Sequence, residues 1–328
     1  MASLLDIDAL SVSYERDGKW VRVLDEVALT VELGESLGIV GESGSGKTVL
    51  IRAVLGLLHP PWRIDSGSVL LNGDDLLKKS EEALLRLRGK AIAITSPEPR
   101  KHLNPLLRIG EQIVNVIAAH AKMPRSVAME RAVELLTRVG IPDPRRRAFA
   151  YPHELSGGMC QRIVIAMALA HSPKVILADE PTAGLDVTIS RQILDLMHDL
   201  VQRTGSSLVV VSRDLGVIAH YCRRVAVMHS GRVVEIDDVE HFFEHAVHPY
   251  SRNLLRAARA ARDHTRPAAP NPGSTRGAPG DAACGYAGRC VISEPRCRET
   301  RPSLDTLSAG HLVRCHRRTE IVSAEVEA

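Results

Sequence analysis

The sequence predicts an α/β fold, and three observations carry that expectation. Residues 36–40, SLGIV, form a short apolar run that passes directly into the glycine-rich segment GESGSGKT, residues 41–48, with helical spacing after it. Later runs (KVILADE, SLVVVS and RVAVMHSGRVVE) alternate with helical stretches, the rhythm of strands interleaved with helices. Between these parts, from about Ile109 to Val139, the apolar spacing becomes purely helical and marks an insertion.

Taken in order, residues 1–40 read as short alternating strands, an antiparallel β portion ahead of the glycine-rich loop. A helix is expected over Thr48–Leu58, then a helical subdomain near residues 98–165, with Gly140 as a helix cap. The strand KVILADE follows, then a helix over 187–203, the strand SLVVVS, another helix, and a strand pair around a turn at Ser230-Gly231. Beyond Val247 lies a basic helical stretch, HPYSRNLLRAARAARDH. The Pro-, Gly- and Ala-rich RPAAPNPGSTRGAPGDAA then reads as a linker. The expected division is a main domain over residues 1–250, a basic helix and linker over 251–283, and a cysteine-rich tail over 284–328. That tail has too few apolar side chains to fold alone, and no internal repeat is present.

Bulk properties narrow the function classes only a little. A formal charge of +3 over 328 residues forces neither a nucleic-acid nor a membrane-surface reading, and 45% hydrophobic residues support a real core. The first twenty residues carry acids early and lack a basic flank before an apolar stretch, so no signal peptide is expected. No apolar run approaches the roughly 20 residues that span a bilayer, so the chain is expected to be cytosolic.

The chemistry concentrates in three segments. GESGSGKT matches the phosphate-loop pattern between a strand and a helix. Gly41, Ser43, Gly44, Ser45 and Gly46 would turn backbone N–H groups toward phosphates, Lys47 would reach the β and γ phosphates, and Thr48 would ligate Mg²⁺. VILADEP, residues 175–181, ends a strand in two acids, Asp179 to hold Mg²⁺ and Glu180 to polarise an attacking water. LSGGMCQR, residues 155–162, offers a hydroxyl and bare amides from Ser156, Gly157 and Gly158 at a helix start, a second anion-binding device. One nucleotide does not need two such devices, unless the second serves a nucleotide held by another chain. A Ser-capped helix is the plainer reading of the same residues.

GESGSGKT, LSGGMCQR, VILADEPTAGLD and RVAVMHSGRVVE, in this order and spacing over roughly residues 5–240, resemble the ATP-binding cassette superfamily. The resemblance implies a P-loop NTPase fold and head-to-tail dimers, with ATP between one chain's phosphate loop and the other's LSGG segment. Gly184, Leu185 and Asp186 would form the loop crossing between the sites. Tyr14 occupies the position where that superfamily stacks an aromatic on adenine, although a core tyrosine is an alternative. RKHLNPLLRIGEQI, LADEPTAGLDVTI, HPYSRNLL and the tail cysteines are similar to the ATPase subunits of dipeptide, oligopeptide and nickel importers. That similarity implies ATP-driven uptake of peptides or another small solute, on the cytoplasmic face of a membrane. It also implies a second, non-identical ATPase subunit, two transmembrane permeases and an extracytoplasmic substrate-binding protein, with no nucleic acid. A cassette acting on DNA or ribosomes, and a regulatory subunit that holds ATP without cleaving it, are the rival readings.

Two positions depart from the family pattern. Relatives carry a glutamine before LNP, where this chain has Pro97 in TSPEPRKHLNP, and proline offers no side-chain amide. Relatives also carry a histidine after the SLVVVS-type strand, where this chain has Arg213 in SRDLG; arginine binds phosphate but cannot shuttle a proton. These changes suggest a site that binds ATP and turns it over slowly, within an asymmetric pair. In the competing reading Arg213 acts like an arginine finger and keeps the site active.

Cys284, Cys290, Cys297 and Cys315 are spaced more widely than the pairs typical of zinc sites, and wide gaps suit an iron–sulfur cube. The resemblance implies a [4Fe–4S] cluster there, with zinc or free thiols as alternatives. Cys160 reads as an ordinary buried thiol, and Arg252, Arg256, Arg259 and Arg262 as a solvated helix face.

Overall fold

The computed structural model describes residues 3–262 and 283–326, so the linker segment from 263 to 282 lies outside the described residues. The chain forms two compact units. One gathers the described residues up to Glu32, Ser36–Lys78 and those from Ser212 onward; the other gathers Leu33–Glu35 and Lys79–Val211.

Twelve strands are described: β1 (Leu5–Arg16), β2 (Lys19–Val31), β3 (Ser36–Val40), β4 (Trp62–Leu71), β5 (Asp74–Asp75), β6 (Ile92–Thr95), β7 (Val175–Asp179), β8 (Ser207–Ser212), β9 (Arg224–His229), β10 (Arg232–Asp238), β11 (Asp305–Ser308) and β12 (His311–Val313). In the first unit, an antiparallel sheet runs in the order β2-β1-β4-β5. Its two N-terminal strands span 12 and 13 residues, longer than the short strands expected. The register of β1 slips between Ile7 and Leu10, where Ala9 takes a φ of 46°, so one long strand bends and alternates imperfectly. Asp17-Gly18 joins β1 to β2 with φ of 52° and 70°, and Ser230-Gly231 joins β9 to β10 with 47° and 77°. Both are turns whose twist matches a hairpin, and the second is the one expected.

The second sheet of this unit places β3 parallel to β9, β9 antiparallel to β10, and β10 antiparallel to β12 of the C-terminal tail. The tail thus folds by adding the hairpin β11–β12 to an existing edge, with Val313 and Ile321 packed on Val247. This is how a segment too apolar-poor for its own core becomes ordered.

The helix after the glycine-rich loop covers Lys47–Val54, shorter than expected, because Gly56 adopts a left-handed φ of 63° just past its end.

In the second unit β6, β7 and β8 run parallel. Between β6 and β7 the helical stretch is broken into Ile109–His120 and Arg125–Arg138 by Pro124, with Gly140 at φ 69° closing the second helix. Gly157–Ala168 and Val187–Thr204 follow; Gly205 ends the latter at φ 64°.

Candidate nucleotide site and cysteine centre

The apolar strand β3 delivers the chain to Gly41, and no larger residue fits there, because a Cβ would lie 2.2 Å from the carbonyl oxygen of Met228. Gly46 holds a φ of 105°, and a Cβ there would meet Leu24 at 2.7 Å. These two glycines bend the loop so that Lys47 opens the following helix. Its buried ammonium donates to the carbonyls of Gly41 (2.7 Å) and Glu42 (3.0 Å) and to Ser45 Oγ at 3.3 Å. Ser43, Gly44 and Thr48 are exposed, so the loop presents amides and a hydroxyl to solvent while its lysine is held from within. A cavity of about 270 Å³ opens here, lined in part by Gly41, Glu42, Ser43, Arg213 and Leu254.

Arg213 therefore stands at the mouth of the phosphate loop. Its neighbours fix the backbone: Asp214 N–H donates to Ser212 Oγ (3.0 Å), and Asp214 Oδ1 accepts from Gly216 N–H (2.8 Å) at the start of helix Leu215–Tyr221. Arg213 itself is exposed. Tyr14 lies on the antiparallel sheet, half-buried, with its ring centroid 4.8 Å from that of Trp62.

The loop is buttressed by residues that sequence reasoning did not single out. Glu42 N–H donates to Tyr250 Oη at 2.9 Å, and both carboxylate oxygens of Glu42 accept from Arg289 at 3.1 Å, a two-pronged pair. Tyr250 is fully buried, and its centroid lies 4.4 Å from His229 and 5.4 Å from Tyr286. Burial lowers the His229 imidazole to about 4, against the opposing charge of Glu42, so the ring is neutral near pH 7. His248 is likewise lowered by burial to about 4, and its Nδ1 accepts from Tyr250 N–H at 3.1 Å, which places its proton on Nε2. HPYSRNLL thus supplies the floor beneath the phosphate loop.

Arg289 belongs to the cysteine segment. Cys284, Cys290, Cys297 and Cys315 all line one cavity beside His248, and none forms a disulfide. Short turns bring them together, with Cys284 N–H donating to the carbonyl of Cys297 at 2.9 Å and Cys290 N–H to that of Ala287 at 3.4 Å. Burial raises the thiols of Cys284, Cys290 and Cys315, the last to about 11, so without a cation they stay protonated.

In the second unit, Asp179 ends β7 and is 5% exposed, while Glu180 takes a left-handed φ of 42° and donates its N–H to the Val211 carbonyl at 2.9 Å. A non-glycine residue held there costs about 1–3 kcal/mol, a strain concentrated on the acid after Asp179. Ser156 is exposed, and its Oγ accepts from Met159 N–H at 3.3 Å, which is the capping contact of a Ser-capped helix. Leu185 lies 3.6 Å from where a Cβ on Gly157 would sit, so the loop 184–186 rests against the LSGG segment. Asp186 Oδ1 caps the next helix by accepting from Ile189 N–H at 3.0 Å. Cys160 is fully buried, and burial raises its thiol. Pro97 is half-buried just after β6. Buried Gln112 accepts from Asn104 N–H and donates to the Asn104 and Leu107 carbonyls, all at 2.8–2.9 Å, so this one amide shapes the LNP turn.

Comparison with known proteins matches this geometry. The ABC transporter family model covers residues 24–183, and the model for the oligopeptide/dipeptide transporter C-terminal region covers 234–297. The dipeptide transport ATP-binding protein DppD of Escherichia coli is 40% identical over 315 residues, 96% of each chain. The oligopeptide transport ATP-binding protein OppD of Bacillus subtilis is 45% identical over 253 residues, covering 77% of this chain and 71% of that one. Among solved structures, the dimeric ATP-binding cassette MJ0796 in a post-hydrolysis state bound to ADP and phosphate superposes with a TM-score of 0.64. It is 27% identical and covers 72% of this chain and 98% of its own. The phosphate loop, the Asp-Glu strand end, the LSGG helix and full-length identity to transport ATPases together show that this chain belongs to the ATP-binding cassette (ABC) transporter ATPases, in the group that carries the oligopeptide/dipeptide transporter C-terminal region.

Proposed function

We propose that the chain is the ATP-hydrolysing subunit of a peptide importer and that it works beside a second, non-identical ATPase subunit. Two permeases and an extracytoplasmic substrate-binding protein complete this assembly, and the chain sits on the cytoplasmic face of the membrane. The observation that carries the reading is the phosphate loop, in which Gly41 and Gly46 cannot be replaced without collision and whose lysine is poised at a helix start. Similarity to a dipeptide transport ATPase over 96% of the chain, and to an oligopeptide transport ATPase over 77% of it, supports the choice of cargo. Among the described residues, no helix is long and apolar enough to cross a membrane, so transport needs other chains to form the pathway.

In this reading the loop amides and Lys47 hold the β and γ phosphates, Tyr14 stacks on adenine, and Glu180 accepts the proton of the attacking water. Mg²⁺ would supply charge neutralisation for the phosphates, and Thr48 and Asp179 are the residues that would hold it. Ser156, Gly157 and Gly158 serve a nucleotide bound by the other subunit. Pro97 and Arg213 make this chain's own site slow: the first removes a water-positioning amide, and the second substitutes a fixed cation for a proton acceptor. Arg213 lines the cavity at the phosphate loop, which supports a role for that cation toward the terminal phosphate.

The deciding experiment is steady-state ATPase activity of the assembled complex with Glu180→Gln here and, separately, the equivalent change in the other subunit. A small loss from Glu180→Gln and abolition by the other change support an asymmetric pair. Equal abolition by both shows that Arg213 sustains turnover.

The four tail thiols hold a [4Fe–4S] cluster in this proposal. The wide cysteine spacing favours a group larger than a single ion, and all four cysteines line one cavity. Anaerobic purification followed by iron and labile-sulfide analysis should find four of each per chain, and stoichiometric zinc in their place refutes the cluster.

A further inference from the structure

Glu235 and Asp237 alternate along β10, and β12 lies antiparallel beside it with Glu235 opposite Val313 and Ile236 opposite Leu312. Continued one step, that register sets Asp237 opposite His311, so both carboxylates and the imidazole share one face. Glu235 is fully buried and Asp237 and His311 nearly so. The Glu235 carboxylate accepts Val247 N–H at 2.7 Å and His248 N–H at 3.0 Å, and its Oε1 lies 2.9 Å from His311 Nε2. That contact places a proton on His311 Nε2 and turns Nδ1 toward Asp237 Oδ2 at 3.6 Å. Oδ1 of Asp237 is already engaged by Asp238 N–H at 2.9 Å. From helix Val239–His245, His241 brings its Nδ1 to 2.6 Å from the same Oδ2. One donor atom from each of Asp237, His241 and His311 lies within 4.8 Å of the other two.

We infer that Asp237, His241 and His311 form a zinc site that joins the C-terminal hairpin to β10. Three features point to the ion. The donor set is two imidazoles and one carboxylate, the mixture zinc takes at about 2.0–2.2 Å, which sets donors roughly 3.3 Å apart. The two imidazole-to-carboxylate separations, 2.6 and 3.6 Å, bracket that spacing, and the imidazole donors lie within 4.8 Å of each other. Glu235 supplies the outer carboxylate that a zinc-binding histidine uses to fix its tautomer and ring orientation. His241 is the exposed member, with 46% of its side chain open, so it is both the route of access and the ligand able to adjust, leaving a fourth position for water.

The test uses the full chain with its cysteine centre intact. Zinc titration calorimetry on the wild type and on His241→Ala should show one binding step weakened by more than about tenfold in the variant. Unfolding in the presence of zinc should shift upward for the wild type and lose most of that shift in His241→Ala. His245→Ala, one helical turn away with its ring centroid 4.9 Å from that of His241, should retain both effects. Cobalt distinguishes this site from the thiols. A His241-dependent species should show tetrahedral visible bands without the intense ultraviolet charge transfer of sulfur ligation. Identical zinc binding by the wild type and His241→Ala, or cobalt spectra that are wholly thiolate, overturns the site and leaves a hydrogen-bonded carboxylate–imidazole cluster.

Discussion

The phosphate loop draws its parts from eight consecutive residues, 41–48, whereas the cysteine centre draws four thiols from residues 284–315 and leans on strands far earlier in the chain. In the loop, Lys47 donates to Gly41, Glu42 and Ser45, six, five and two positions back. In the cysteine segment, Arg289 reaches Glu42 across 247 positions, and Arg301 reaches Asp25 at 3.1 Å. The first site takes its phosphate-facing groups from one short segment that distant residues buttress, and the second exists only after the chain has folded back on itself. Because Arg289 and Tyr250 both hold Glu42, the late site is built against the early one.

The largest expected effect breaks the local half of that contrast. Lys47→Ala removes the ammonium at the point where phosphate charge concentrates, and ATP turnover by the complex should fall about 10³-fold, with unfolding little changed. A mild loss in a steady-state ATPase assay removes Lys47 from the phosphate site.

The long-range half is probed at Asp25. It is fully buried and accepts from Arg232 Nε at 2.8 Å, with Arg301 and Arg22 also paired to it. Burial pushes this carboxyl up, but the hydrogen bond and charge of Arg232, with Arg301 and Arg22, outweigh it and hold the group below the usual carboxylate range. Asp25→Ala leaves Arg232 buried without its anion, so stability should fall by about 3–4 kcal/mol, read as a lower denaturant midpoint. An unchanged midpoint shows that the tail is not anchored through this contact.

A pH titration sharpens the comparison next. His229 and His248 are lowered to about 4 by burial, below the ordinary imidazole value near 6.5. In that window the unfolded chain binds protons that the native chain refuses. Stability is therefore full above pH 6.5, declines as pH falls toward 4 and flattens below it. Each histidine contributes on the order of 3 kcal/mol at most. Denaturant midpoints measured across this range should show the decline, and His229→Asn should remove part of it.

The smallest expected effect lies at the joint between the sites. Arg289→Gln breaks a partly exposed ion pair, so stability should change by less than about 1 kcal/mol. Nucleotide affinity should nevertheless weaken severalfold, because Glu42 loses the contact that holds its side chain. Unaltered ATP affinity by fluorescence titration shows that the tail only abuts the loop.

Several elements were legible in the sequence for reasons the structure makes plain. The glycine-rich segment and the Ser230-Gly231 turn announce their bends through residue types adjacent in the chain, while packing against Met228, Leu24 and Val23 adds a second reason for glycine. The helix over 187–203 could be read from its apolar spacing, and Gly205 closes it one residue later than expected. Other features escaped. The N-terminal strands are long because bulges near Ala9 interrupt the alternation that sequence reading relies on. The helix after Lys47 stops early because Gly56 turns left-handed, a choice that apolar spacing does not report. Nothing in the local pattern of Arg289, Gln112 or His311 announces a partner, since each meets one that is distant in sequence or hidden in a turn.

By itself the sequence determined the kind of chemistry: a phosphate loop, an Asp-Glu strand end, a second anion-binding helix start and four thiols in the tail. Only the tertiary structure decided that the tail's hairpin extends the sheet beside β10, that Arg289 grips Glu42, and that Asp237, His241 and His311 share one face. The physical reason is that bends and caps are set by backbone preferences within a few residues. Pairings across hundreds of residues are set by which buried charges and strand edges find each other once the core has closed.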